Sequence, residues 1–223
     1  MDADKRDRID EMLQCRAGET ALLVIDMQRG FLDKGAALEV PPGRVIIPNI
    51  QQLIAACRMQ QTPIIFTRFI YDPEQPTLRG DPFGPEHLPC PPGGATGFGR
   101  PSSNCIPGEE GVNSPVIISE LMPHPTDTII DAPQYDKFID TELQQVLQGM
   151  DIQYLIITGI LTDICVHTTL CAASMRNYRV TAVTDAVATL WPNIQDACLD
   201  IWQRKFARLK TTEQMLTEIN SFQ

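Results

Sequence analysis

Long apolar runs are missing from this sequence. No stretch approaches the ~20 apolar residues that a membrane-spanning helix needs, so no membrane span is expected. The opening residues, MDADKRDRIDEMLQC, are charged and carry no apolar core of the kind a secretory signal has, which points to a cytoplasmic protein. Basic residues are the minority. Lys and Arg number 18 against 28 Asp and Glu, for a net charge of −10 and a pI near 4.7. That balance argues against nucleic acid or an anionic membrane as the main partner. Histidine is scarce: His87, His124 and His167 are scattered and show no ligand spacing, so no metal and no other cofactor is expected. The seven cysteines are odd in number and contain no CxxC pair, which speaks against a zinc knuckle or a thioredoxin-type site. In a reducing compartment most should be buried, inert thiols.

What remains is ordinary globular material, 43% hydrophobic and 21% charged over 223 residues, enough for one domain. Apolar runs at 20–26 (TALLVID), 63–67 (PIIFT), 127–130, 152–158 (IQYLIIT), 178–184 (YRVTAVT) and 207–210 read as strands. Helical patterns fall between them at 45–59, 140–150, 165–175 and 193–205, and Thr211-x-x-Gln214 looks like a capping box for a last helix. Strand and helix alternate throughout. The expectation is a single α/β domain, a three-layer α/β/α sandwich with a mostly parallel six-stranded sheet over residues 20–223, preceded by a helical extension over 1–19. The Pro/Gly-rich stretch 71–111 breaks the rhythm and reads as an active-site cover, a subunit-contact arm or a variable insertion.

Ligands of parallel sheets bind at the carboxyl ends of the strands, where Asp26 and Cys165 both fall. In GILTDICVHTT (159–169) a buried strand ends in Gly159, a turn follows and Cys165 opens a helix. The N–H groups of a helix start lower a thiol's pKa and can hold an oxyanion, although a buried inert thiol is the other reading. Asp26 is either a structural cap or a carboxylate held in a cleft to move protons. Spacing alone cannot bring the two together.

The segments VIDMQRGFL (24–32), FTR (66–68), FIDTELQQVL (138–147), ITGILTDICVHTTLCAA (157–173) and DAVAT (185–189) resemble the isochorismatase-like cysteine hydrolases. They are most similar to the branch that cleaves small amides, the ureidoacrylate, N-carbamoylsarcosine and biuret amidohydrolases. The resemblance spans about residues 18–220. It implies a triad of Asp, Lys and Cys, with Asp26 as proton carrier and Cys165 as nucleophile. It also implies a cis peptide at Ile160–Leu161 that aims the Leu161 N–H into an oxyanion hole beside that of Cys165. No metal is expected, because FTRFIYDPEQ (66–75) lacks the histidines that the nicotinamidase branch uses.

The lysine is where the chain departs from the pattern. Aligning APQYDKFIDTEL (132–143) on the family's K-P-x-Y-S-x-F-x-x-T-x-L puts Ala132 at the lysine position. Three readings follow. The favoured one is a Lys→Ala substitution introduced to stall turnover. The second is a natural variant in which Lys137, five residues on, reaches the site. The third is a natural non-catalytic binder. Loss of a cation about 4 Å from a thiolate removes up to ~4 kcal/mol of attraction before desolvation is subtracted, so the favoured reading expects a chain that binds but scarcely hydrolyses.

The resemblance also implies pocket roles for Gln28, Phe31, Tyr135 and Trp191, while Arg68 could grip a carboxylate or ureido oxygen or form an ordinary salt bridge. His167 reads as core or interface packing. The expected partners are a small amide or ureido substrate and further copies of the chain, as a dimer or tetramer. Isochorismate-type vinyl ether hydrolysis is a further alternative, against which Cys165 speaks. A thiol redox protein would need a resolving cysteine, and Cys171 should point elsewhere.

Overall fold

The computed structural model describes residues 3–36, 38–70, 105 and 107–222. Most of the 71–111 stretch, including His87, therefore lies outside the described residues. The elements are α1 (Ala3–Leu13), β1 (Thr20–Ile25), α2 (Arg29–Leu32), α3 (Ile47–Met59), β2 (Ile64–Phe69), β3 (Thr128–Ala132), α4 (Leu143–Gly149), β4 (Tyr154–Ile160), α5 (His167–Met175), β5 (Arg179–Ala188), α6 (Pro192–Lys205), β6 (Arg208–Lys210) and α7 (Thr212–Ile219). No described helix is long and apolar enough to cross a membrane.

All strands are parallel, in the order β3-β2-β1-β4-β5-β6. The fold is thus the α/β sandwich the alternation implies. β1 is buried along its whole length and divides its side chains by strict alternation. Leu22 and Val24 join the core under α3 and α7; Ala21, Leu23 and Ile25 join the core under α4, α5 and α6. Burying each such aliphatic side chain contributes roughly 1.5–3 kcal/mol, which is why the central strands are apolar on both faces.

Several boundaries differ from the sequence expectation. Helix α4 begins at Leu143 because Asp140 has a left-handed φ of +54° and the Thr141 hydroxyl donates to the Lys137 carbonyl, 2.6 Å away. β5 runs ten residues, past the expected end at 184. The capping box forms, with Thr211 and Gln214 satisfying each other's backbone N–H groups. Helix α1 is joined to the domain by polar contacts. Arg208 of β6, almost fully buried, pairs with Glu218 of α7 at 2.6 Å; Glu218 also accepts the Cys15 N–H at 2.7 Å, and Lys210 pairs with Asp10.

The strand order reverses direction between β1 and β4. That is the switch point of an open parallel sheet, where the chains leaving the two strands diverge and leave a crevice. Residues directly after β1, β3 and β4 converge on it.

Candidate active site

Asp26 follows β1 with φ +54° and a side chain fully excluded from solvent. Short polar side chains tolerate this left-handed conformation better than branched ones do. The bend is held by the Asp26 N–H donating to the Thr67 carbonyl at 3.2 Å, and the Thr67 hydroxyl donates to Asp26 Oδ1 at 2.8 Å. Beside it, Gly159 of β4 pairs with Ile25 at φ +111°. A Cβ there would sit 2.1 Å from the Ile25 carbonyl oxygen, so only glycine lets β4 pass this close to the base of Asp26.

The cation at Asp26 is Lys137. Its Nζ lies 2.7 Å from Asp26 Oδ2, and both side chains are completely buried. Lys137 thus reaches the site, as the second of the three readings of the lysine position requires. Ala132, at the position where the resemblance places a lysine, is the fully buried last residue of β3 and carries no charge. The chain beyond it folds back so that the Lys137 N–H donates to the Thr169 hydroxyl of α5 at 3.1 Å, while that hydroxyl donates to the Tyr135 carbonyl at 3.2 Å. With its backbone pinned there, the Lys137 side chain runs inward. Nζ also donates to the Gln134 carbonyl at 3.2 Å and stands 5.3 Å from the centre of the Phe69 ring. Burial pulls the ammonium's pKa down, but the charges of Asp26 and Cys165 outweigh it, so the pKa lies above the ordinary lysine value. The Asp26–Lys137 contact is thus a direct, fully desolvated ion pair.

Cys165 was expected to open a helix. It sits instead in a single π-turn, Thr162–Val166, closed by the Val166 N–H on the Leu161 carbonyl at 3.0 Å, and α5 starts at His167. The Ile160–Leu161 peptide before the turn is cis. The thiol is almost fully buried. Burial pushes its pKa well above the ordinary value and the Asp26 carboxylate pushes the same way; the Lys137 ammonium and the Leu161 N–H draw it back. The resting group is therefore a thiol, facing a carboxylate that can take its proton and a cation that can stabilise the resulting thiolate.

The isochorismatase domain family matches residues 20–214, nearly the whole chain. The chain belongs to the isochorismatase family. Among curated proteins, this isochorismatase-family chain is 28% identical over 213 residues to the ureidoacrylate amidohydrolase RutB of Pseudomonas savastanoi pv. phaseolicola, covering 93% of this chain and 86% of that protein. Its counterpart from Pseudomonas syringae pv. syringae is 29% identical over 195 residues, covering 85% and 79%. Among solved structures, a cysteine hydrolase from Pseudomonas syringae pv. phaseolicola superposes with a TM-score of 0.74 at 25% identity, covering 93% of this chain and 95% of that one. The N-carbamoylsarcosine amidase of Thermoplasma acidophilum shares the fold, with a TM-score of 0.68 at 24% identity over 87% and 97%.

The remaining candidates of this family member take other places. Gln28, fully buried, turns its amide to the protein: Oε1 accepts the Phe69 N–H at 2.7 Å, and Nε2 donates to the Phe69 carbonyl at 2.9 Å and to Cys105 Sγ at 3.0 Å. Its amide thereby prolongs the β1–β2 pairing. Phe31 and Tyr135 flank Phe69, with ring centres 6.2 and 5.9 Å away, and build the aromatic wall beside Lys137. Arg68 is held by Asp131 through two contacts of 2.7 Å and lines a separate cleft of about 540 Å³ with Arg29 and residues 107–111. Trp191 is half-exposed at the start of α6. Among the described residues no group of three or more His, Cys, Asp or Glu side chains could hold a metal ion. Sequence reasoning missed Thr67 and Thr169 as supports. Nothing in either threonine's local sequence marks it, since each acts across the sheet or across a loop.

Proposed function

We propose that this protein hydrolyses a small amide or ureido C–N bond through a thioester on Cys165, with Lys137 as the working cation of the triad. The observation that carries the reading is the fully buried Lys137–Asp26 ion pair, to whose two charges Cys165 is electrostatically coupled. The naming of relatives as ureidoacrylate amidohydrolases supports the amide substrate class.

The steps follow from the groups present. The Asp26 carboxylate, which faces the thiol, takes the Cys165 proton. The sulfur attacks the carbonyl carbon, and Lys137 offsets the anionic charge that develops. The N–H groups of Leu161 and Cys165 receive the oxyanion. Asp26 returns the proton to the departing nitrogen, ammonia leaves, and a thioester remains. Water, deprotonated by Asp26, then attacks the thioester and releases the acid and the thiol. On this reading position 132 needs no lysine, since the Lys137 ammonium already stands beside Asp26.

The test is ammonia release from biuret, ureidoacrylate, N-carbamoylsarcosine, nicotinamide and maleamate, by the unaltered protein and by Cys165→Ser. Turnover of one substrate, lost in the serine variant, is expected. Absence of turnover on all five, or turnover surviving the loss of the thiol, would sink the proposal. Sedimentation of the same samples tests the dimer or tetramer that belongs to this reading.

A further inference from the structure

His167 lies two residues beyond the nucleophile and takes no part in the mechanism above. It opens α5, and its ring is gripped on both sides. The indole Nε1–H of Trp202, a fully buried residue of α6, donates to His167 Nδ1 at 3.0 Å, and His167 Nε2 faces Cys171 Sγ at 3.8 Å. The ring centres lie 6.4 Å apart with planes 27° from parallel, the nearly coplanar, edge-to-edge placement that an in-plane hydrogen bond requires. An indole nitrogen can only donate, so Nδ1 must present a lone pair, and the neutral ring carries its proton on Nε2, toward the sulfur. A proton on Nδ1 would set two N–H groups against each other and leave a buried indole donor unpaired.

We propose that His167, locked by Trp202 in its neutral Nε2–H form, is a positioning residue that ties the Cys165 turn to α6, so that protonating His167 loosens the nucleophile and gives the enzyme an acid limb. α6 packs directly on the turn, and the Thr189 hydroxyl, in the short link between β5 and α6, donates to Asp163 of the turn at 2.6 Å. The titratable groups around His167 are Asp163 in the turn and Cys171 on its own helix, with Cys198 of α6 near both. Asp163 favours the charged ring, but burial outweighs it, and the histidine stays below its ordinary pKa. The proposal rests on Cys165 being the nucleophile.

Two measurements on the whole protein separate the two ideas. The first follows the Trp202 indole signal and the His167 ring by NMR across pH 5 to 8, in the unaltered protein and in Trp202→Phe. The chain has only two tryptophans, which makes the signal simple to assign. We expect the indole signal to shift with the His167 titration, and that titration to move to higher pH in Trp202→Phe. An indole signal that stays still, or an unmoved titration, overturns the proposal even if the protein hydrolyses nothing. The second is the pH profile of kcat/KM, with the rate of Cys165 alkylation by iodoacetamide as a readout that needs no substrate. His167→Asn keeps an acceptor for the indole without titrating, and should hold the rate near that of the unaltered protein at pH 7.5 while moving the acid limb to lower pH. His167→Leu should cut kcat about tenfold to a hundredfold with KM within about twofold, the signature of misplaced chemistry. An acid limb unchanged in His167→Asn overturns the proposal.

Discussion

Lys137 Nζ and Asp26 Oδ2 meet at 2.7 Å with no solvent reaching either side chain. Removing one partner of a buried pair strands the other charge and typically costs about 3–5 kcal/mol. Lys137→Met should therefore lower the melting temperature and cut ammonia release by about a hundredfold or more. Undiminished turnover in this variant would remove Lys137 from the mechanism.

Ala132→Lys follows from the same geometry with the opposite sign from the sequence expectation. The position is fully buried, so a lysine there would take a second ammonium out of water while Asp26 is already paired with Lys137. Turnover should fall and stability should drop. A gain in ammonia release would restore the reading in which position 132 is the deficient one.

Cys165 alkylation should report the balance of forces on its thiol. Burial and Asp26 raise the pKa, and Lys137 lowers it. Alkylation by iodoacetamide should be slow at pH 7, should climb as the pH rises, and should be slower still in Lys137→Met at each pH. Fast alkylation at pH 7 would show a resting thiolate and contradict the burial argument.

Gly159→Ala tests the strand crossing that seats Asp26. The added methyl would meet the Ile25 carbonyl at 2.1 Å, at a φ of +111° that alanine resists. Close overpacking and a strained backbone together predict a loss of about 3 kcal/mol or more, visible in thermal denaturation. A melting temperature unchanged from the unaltered protein would show that the strands can separate without loss.

Stability should also depend on pH through His167. Its folded pKa lies below the ordinary histidine value, so the unfolded chain binds a proton that the native protein refuses. That contribution to stability is complete above about pH 6.5 and is lost progressively as the pH falls toward the folded pKa. The melting temperature of His167→Asn should therefore depend less on pH below 6.5 than that of the unaltered protein. Equal slopes would place the acid sensitivity elsewhere.

The alternation of buried apolar strands and helices was legible in the sequence because each depends on local period and composition, and so was the capping box at Thr211. Asp26 and Cys165 stood out because each ends or follows a strand in a parallel sheet, and such sheets bind ligands there. Which lysine stands beside Asp26 was decided only in three dimensions. Motif register assigns a residue to a backbone position, whereas a lysine's charge sits at the end of a long flexible stem whose direction depends on where its backbone is pinned. Here the pin is Thr169, 32 positions away, and the sole basic residue between β3 and β4 is thereby turned inward. The same limit hid the partners of Gln28 and His167. Their amide and imidazole meet Phe69, 41 positions away, and Trp202, 35 positions away, and hydrogen bonds over such separations exist only once the layers have packed.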